Sequence, residues 1–501
     1  MFLTAWNWFV ANIFTKPAWF LALMVFIGCL LIKKPIYEAF ASFVKALVGY
    51  MIFNVASNGM VATFRPILFA LNGRFNLQAA VIDPYFGAAP LQKSITEVAG
   101  RTMSIATMAM ILGFAINVLL GYFKKQTKVR SLMVGGHVMN LGSWGVIAYL
   151  VLMIPSISDL GAIISGGLLC GLLWGVLSNL TVEPTQELTD GANIAVGHVQ
   201  MTGIYIFDKL ATWIGNMDKK KGKEIHKIGD IKLPGFLSIM NDTTVAASIV
   251  MLLFFGGMML IIGREYMLTV DESLASQSWG FYLIEKCLTF VVYLNIIILG
   301  IKMFVGELTE AFSGISQKIL RGAVPAVDIA ATFGFTEGSV VTFGFLFGAL
   351  GSIIAILLSV LFKNPILAIV GFIPMFFDNG GIATFTNNKG GLKAVIISTL
   401  IVGMVHVFGG GLYAYFYGFS NYGGAAANFD IAAWHTLLGV LMKNLGFVGI
   451  GVICLALILI PQLQYLKNKD TYFLVVDDYE KYKEVIAKKT SARPAAKKAE
   501  K

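Results

Sequence analysis

Apolar residues in this chain fall in long unbroken stretches separated by short polar segments. Eleven stretches read as membrane-spanning helices: Pro17–Ile32, Ala39–Phe64, Met103–Phe123, Leu132–Ile154, Ile157–Leu180, Thr244–Gly263, Phe281–Val305, Gly338–Phe362, Pro365–Asp378, Leu392–Tyr417 and Leu437–Ile460. The ninth is short for a span. Continuous runs without in-out alternation predict a helical bundle and not a β-barrel. Four of the breaks are acidic and interrupted by Gly or Pro, at 80–88, 183–191, 307–328 and 371–383. A carboxylate in lipid is costly unless it faces a cavity or a partner. Non-helical backbone at membrane depth persists only where protein or water satisfies it. The expected fold is an all-α polytopic membrane protein, with about eleven transmembrane helices and re-entrant or broken hairpins around a polar site.

Composition narrows the class further. Only 13% of residues are charged and 57% are hydrophobic, against about 25% charged in soluble domains. The net charge of +10 does not point to nucleic acid, because much of the excess lies after Leu466, in a tail that includes Lys488, Lys489, Lys497 and Lys498. A basic flank after a last span is a cytoplasmic anchor. Two domains follow: a membrane permease unit over 1–465, containing a cytoplasmic amphipathic linker at 203–243, and the basic tail 466–501. Basic segments such as Lys124–Arg130, Lys219–Lys221 and the tail lie on one side if the N-terminus is outside and the C-terminus inside, whereas 418–436 holds no Lys or Arg. Arg65, Arg74, Lys93 and Arg101 count against this orientation. The four cysteines sit in apolar runs without a CxxC pattern, so neither disulfides nor zinc are indicated. The absence of Lys and Arg before Lys16 argues for a retained first span and against a cleaved signal.

Short echoes hint at internal symmetry. Ala80-Val-Ile-Asp83 resembles Ala326-Val-Asp328, and Asp190-Gly-Ala-Asn-Ile-Ala195 resembles Asp378-Asn-Gly-Gly-Ile-Ala383. The first pair spans an odd number of predicted helices, as an inverted repeat requires. Glu187-Leu-Thr-Asp190 against Glu307-Leu-Thr-Glu310 implies a different offset.

Candidate chemistry centres on few residues. Glu187 and Asp190, like Glu307 and Glu310, lie i, i+3 on one helix face. Each pair reads as helix capping and interfacial solvation, or as a site that grips hydroxyl groups in pairs. His137 and His198 read as satisfied structural histidines or as groups that meet an acidic or enolic solute. Asp328, in Ala326-Val-Asp-Ile-Ala330, demands a partner or a water-filled cavity. No P-loop, Rossmann glycine pattern, HExxH or GxSxG stands in a fitting setting. No catalytic residue, metal or cofactor is therefore assigned, and a gradient or a partner is expected to supply the energy.

Five motifs in order then carry a resemblance: Gly135-Gly-His-Val-Met139, Pro184–Gly191 with Gly197-His198, Leu233-Pro-Gly-Phe236, Phe304–Gln317 and Gly371-Phe-Ile-Pro-Met-Phe-Phe377. From the first span to about Ile460 the chain resembles the ascorbate-type membrane subunit, enzyme IIC, of the bacterial phosphoenolpyruvate-dependent phosphotransferase system (the ascorbate/galactitol superfamily). The resemblance implies a homodimer in the bacterial cell membrane, with a core domain that moves against a dimerising scaffold in an elevator mechanism. It implies separate cytosolic IIB and IIA partners, with the phosphoryl-carrying cysteine on IIB. It implies substrate contacts at His137, His198 and Asp328, and around Asp83–Tyr85. Gln200, Glu187 and Glu307 complete the candidate set. Characterised ascorbate members carry glutamine where this chain has Leu141 and Val199, so the expected solute is L-ascorbate or another sugar acid or polyol. A proton- or sodium-coupled elevator-type secondary transporter is the alternative.

Overall fold

The computed structural model describes residues 8–9, 12–13, 16–75, 79–84, 86–230, 242–318 and 323–499. Two helices of 40 residues each, α2 (Ile36–Phe75) and α8 (Trp279–Lys318), pack along one another with α1 (Pro17–Leu31). At 1.5 Å per residue each is about 60 Å long, well beyond a bilayer core. The runs Ala39–Phe64 and Phe281–Val305 are thus the apolar parts of longer rods.

Most of the remaining elements follow in two comparable series, with a further helical stretch, Thr243–Ile262, before α8. After α2 come β1 (Ala79–Ile82), α3 (Ser104–Tyr122), β2 (Ser131–Met133), α4 (Gly136–Met153), α5 (Asp159–Leu180), α6 (Val182–Thr189), β3 (Ala195–Val196) and α7 (Met201–Lys220). After α8 come β4 (Val324–Val327), α9 (Gly338–Leu361), β5 (Leu367–Val370), α10 (Asn379–Phe416), β6 (Gly424–Ala425), α11 (Thr436–Leu445) and α12 (Phe447–Lys467). A last helix, α13 (Tyr479–Ala499), closes the chain. Five described segments, Ser104–Tyr122, Asp159–Leu180, Gly338–Leu361, Pro374–Phe416 and Phe447–Lys467, are long and apolar enough to cross a membrane, and Val138–Met153 is a shorter apolar one. The chain is thus a mostly helical, multi-pass membrane protein.

Three expectations change. The helical bundle gains six short strands among the described residues, in two three-stranded parallel sheets ordered β5-β1-β6 and β2-β4-β3. The ninth expected span, Pro365–Asp378, is β5 followed by a short helical segment that ends in a π-helical turn at Pro374–Asp378. The segment is buried from Ala368 onward, and its π-helical turn runs directly on into α10. The Leu437–Ile460 stretch also breaks, at Gly446, whose φ of 55° few other residues adopt.

Each sheet takes its central strand from one half of the chain and both edges from the other. In the first, Ala79 pairs Leu367 and Val81 pairs Gly424. In the second, Val324 pairs Ser131 and Ala326 pairs Ala195. Each central strand leads into an aspartate, Asp83 or Asp328. Buried strand stubs of this kind satisfy backbone that helix cannot, at points where the helices stop short.

The linker helix α7 buries Met201, Ile204, Phe207, Asp208, Ala211 and Ile214, a stripe at helical spacing that packs on α10. It leaves Ile206 and Trp213 exposed. The Leu233-Pro-Gly-Phe236 motif lies outside the described residues.

Candidate functional site

The ends of the strands converge on one enclosed cavity. Its lining includes Leu141, Gly142 and Tyr149 of α4, Trp174 of α5, His198 and Val199 after β3, and Asn428, Asp430 and His435 after β6. The free volume is about 80 Å³, below the roughly 300 Å³ of an ordinary small-molecule site. The wall is mainly apolar, and its polar groups are held from behind.

Gly197 lets the His198 segment approach β4. A Cβ there would lie 2.5 Å from the Ala326 carbonyl oxygen, and the Gly197 N–H donates to the Val327 carbonyl at 2.7 Å. His198 is buried, with Nδ1 3.8 Å from Asp378 Oδ1. The Asp378 carboxylate is fully buried. It accepts from Phe429 N–H at 2.6 Å, from Asn428 Nδ2 at 3.0 Å, and stands 3.0 Å from His406 Nε2. Asp430 accepts from the N–H groups of Thr202 and Gly203, both at 3.2 Å, and from the Thr202 hydroxyl. A carboxylate from the second half thereby caps the N-terminus of α7 in the first, where the helix dipole favours negative charge. The Asp430 N–H donates back to the Val199 carbonyl at 3.1 Å. Tyr149 Oη lies 3.3 Å from His435 Nδ1 and 2.9 Å from Tyr413 Oη.

The expected site residues separate. His198 lines the cavity. Asp328 is buried one residue beyond the Gly197–Val327 hydrogen bond, and its carboxylate caps the following turn through Ala330 N–H at 2.9 Å. Gln200 is fully buried beneath the segment, where its Nε2 donates to the Phe377 carbonyl at 3.2 Å; Val199 takes the wall position. Glu187 instead pairs with Lys389 and accepts from the Tyr482 hydroxyl at 2.7 Å. Glu307 pairs with Lys45 at 3.2 Å, between the two long helices. His137 is the second residue of α4, its side chain outside the described set, and Tyr85 lies outside the described residues.

Sequence reasoning treated 418–436 as an outside loop and did not single out Asn428, Asp430, His406 or His435. The signal was present in Asp430, a carboxylate between the small residues Gly424–Ala427 and the aliphatic Ile431, as isolated in apolar surroundings as Asp328. Gly424 to Asp430 are in fact all buried. Asp208, on α7, is buried beside Lys209 and Lys389, and its Oδ1 has no hydrogen-bond partner among the described residues. Burial pushes this carboxyl up to about 6, against the pull of Lys389 and Lys209. Among the described residues no group of His, Cys, Asp and Glu could hold a metal ion.

Residues 12–432 match the family model of the PTS system sugar-specific permease component, EIIC-GAT. The chain belongs to this family. It is also similar to the ascorbate-specific PTS system EIIC component of Mycoplasma pneumoniae (strain ATCC 29342 / M129 / Subtype 1), with 30% identity over 437 residues. That match covers 80% of this chain and 65% of the relative. The chain thus spans just under two-thirds of the length of the curated relative it matches. The family match takes in both sheets, the Asp430 cap and the cavity lining apart from His435, and stops before α11.

Proposed function

We propose that this permease carries L-ascorbate or a related sugar acid or polyol inward, and that a separate cytosolic IIB subunit, charged by IIA, phosphorylates it. The observation that carries the reading is the enclosed cavity between the two halves, with His198 on one wall and Asn428 and Asp430 on the other. Such a site offers few, fixed polar groups in an apolar shell, the arrangement that orients a small polar solute. His198, Asp328 and, through the family resemblance, His137 and Tyr85 are the proposed contacts. Gln200 is proposed to support the wall from behind. Glu187 and Glu307 fit better as structural links, Glu187 to Lys389 and the tail residue Tyr482, and Glu307 to Lys45 within the long-helix pair.

Leu141 and Val199 both line this cavity. Where ascorbate members present two amides, this wall presents two aliphatic side chains. An ascorbate hydroxyl facing them would lose paired hydrogen bonds, so a less hydroxylated face of the solute belongs there. The name of the Mycoplasma relative supports ascorbate; these two residues support a variant of it.

The matched sheet registers support an inverted repeat, with Asp83 and Asp328 as equivalent residues. A homodimer, eleven spans, an outside N-terminus, a cytoplasmic C-terminus, and a core that moves against a scaffold built on the two long helices complete the proposal. Nucleic acid has no place in it, and lipid is the solvent of the apolar faces.

Uptake of labelled ascorbate by cells expressing this chain, with and without IIB and IIA, tests the reading. Partner-dependent accumulation of phosphorylated solute is expected. Unmodified ascorbate accumulating without partners would replace the phosphotransferase reading with gradient-driven secondary transport. Silence from folded protein with active partners would move the substrate away from ascorbate.

A further inference from the structure

We infer that Asp378 is a positioning residue for solute recognition: one buried carboxylate aims His198 on one wall of the cavity and Asn428 on the other. The inference rests on the proposed role of the cavity and assigns a task to a residue that does not line it.

The geometry is specific. Asp378 closes the π-helical turn Pro374–Asp378, and such turns re-aim a side chain that regular helix would direct elsewhere. Its Oδ1 takes the Asn428 amide at 3.0 Å and faces His198 Nδ1 at 3.8 Å. Its Oδ2 takes Phe429 N–H at 2.6 Å and lies 3.0 Å from His406 Nε2. His198 and Asn428 line the cavity, whereas Asp378 and His406 have no exposed surface. Asn428 and Phe429 are also the residues just before Asp430, whose carboxylate holds the start of α7. The carboxylate therefore joins the segment after β3 to the segment after β6.

The chemistry follows from charge. A buried carboxylate is stable only with donors around it, so it selects N–H-bearing edges in its neighbours. A histidine whose Nδ1 edge faces such a charge carries its proton on Nδ1. That turns the Nδ1 edge toward Asp378 and the Nε2 edge away from it. The 3.8 Å separation is beyond a hydrogen bond, so the carboxylate biases the ring through its charge and does not clamp it. Without the charge, the preference for the Nδ1 edge of His198 is lost, and the Asn428 amide loses its charged acceptor.

Solid-state ¹⁵N NMR of the full-length protein in bilayers, with ¹⁵N-labelled histidine, tests this on the unsubstituted chain. His198→Gln assigns the His198 signals by their loss. Expected is a neutral His198 protonated on Nδ1, with Nε2 unprotonated. A His198 protonated only on Nε2 overturns the inference, whatever any variant does. Asp378→Asn keeps the shape and removes the charge, and is expected to erase the Nδ1 preference. In partner-coupled uptake of labelled L-ascorbate it should raise KM by roughly 10-fold to 100-fold, the value of a charge-assisted contact, and lower Vmax by less. A purely structural role would instead lower the amount of folded protein and leave KM unchanged. If His198→Gln itself leaves KM unchanged, the cavity reading fails. If His198→Gln raises KM and Asp378→Asn leaves both tautomer and KM unchanged, the positioning role alone fails.

Discussion

The two small sheets share a topology and a register but not a surface. Around β1 the chain places Asp83, Pro84, Phe372 and Ile373, and around β4 it places Gly197, His198 and Asp328. Both solve the same packing problem, a third strand pressed against a central one, by different means. In the second sheet the glycine is on the incoming segment, at Gly197. In the first sheet the equivalent position after β6 is Ala426, and the glycine sits opposite, at Gly87, where a Cβ would overlap the Ala426 backbone. Backbone geometry is shared, and both sheets send residues to the cavity: Pro84, Ile373 and Asn428 from the first, Met133, His198 and Val199 from the second. The tail sharpens the contrast, because it docks on the first half: Tyr472 stacks 3.6 Å from the Arg130 guanidinium, its hydroxyl accepts from Asn179 Nδ2 at 2.9 Å, and Tyr482 reaches Glu187.

The largest effect is expected at the polar sheet. His198→Ala and Asp328→Asn should each cut uptake by roughly 100-fold or more, with unchanged size-exclusion profiles. Normal uptake by both would remove the functional difference between the sheets. Next in size is Gly197→Ala. Its new Cβ would press on the Ala326 carbonyl, whereas at Gly135 the nearest atom is 3.1 Å away. A loss of about 1–3 kcal/mol is expected for Gly197→Ala and a smaller one for Gly135→Ala, read as Tm in detergent. Equal shifts would mean that the strand approach is not what Gly197 serves.

Tyr472→Ala tests the one-sided tail. It removes the ring over a buried arginine and the hydroxyl that donates to the Lys128 carbonyl at 2.6 Å. A loss of about 1–2 kcal/mol is expected. Limited proteolysis should then cut the tail faster while uptake persists in part. The same protease rate as the parent chain would show that the tail is held elsewhere.

The smallest effect concerns Asp208. Its folded pKa of about 6 lies above the ordinary 3.8. Between these values the folded state holds a proton that the unfolded state has lost, so stability falls as pH rises through that window. The contribution is fully present below pH 4 and gone above about 6. Asp208→Asn should therefore raise Tm at pH 7.5 and leave it nearly unchanged at pH 4. A gain of the same size at both pH values would exclude a titrating Asp208.

Much of the molecule was legible from residue order. Apolar runs gave the helices Ser104–Tyr122, Asp159–Leu180 and Gly338–Leu361 nearly to the residue, because lipid demands about 20 apolar positions in a row. The echo of Ala80–Asp83 with Ala326–Asp328, read as a sign of internal symmetry, falls on the two central strands and their following aspartates. The isolation of Asp328 marked a buried carboxylate. Strand stubs of two to four residues left no periodic trace, so the sheets were invisible, and Pro365–Asp378 looked like a short span.

The sequence by itself determined the membrane, the family and the residues that water would otherwise claim, since these follow from composition and local order. Only the tertiary structure decided which of those residues meet. Asp378 and His198 are far apart along the chain and stand 3.8 Å apart, while Glu187, only eleven positions before His198, turns to the tail. A buried charge must find its donors wherever packing brings them, and that is a property of the folded chain.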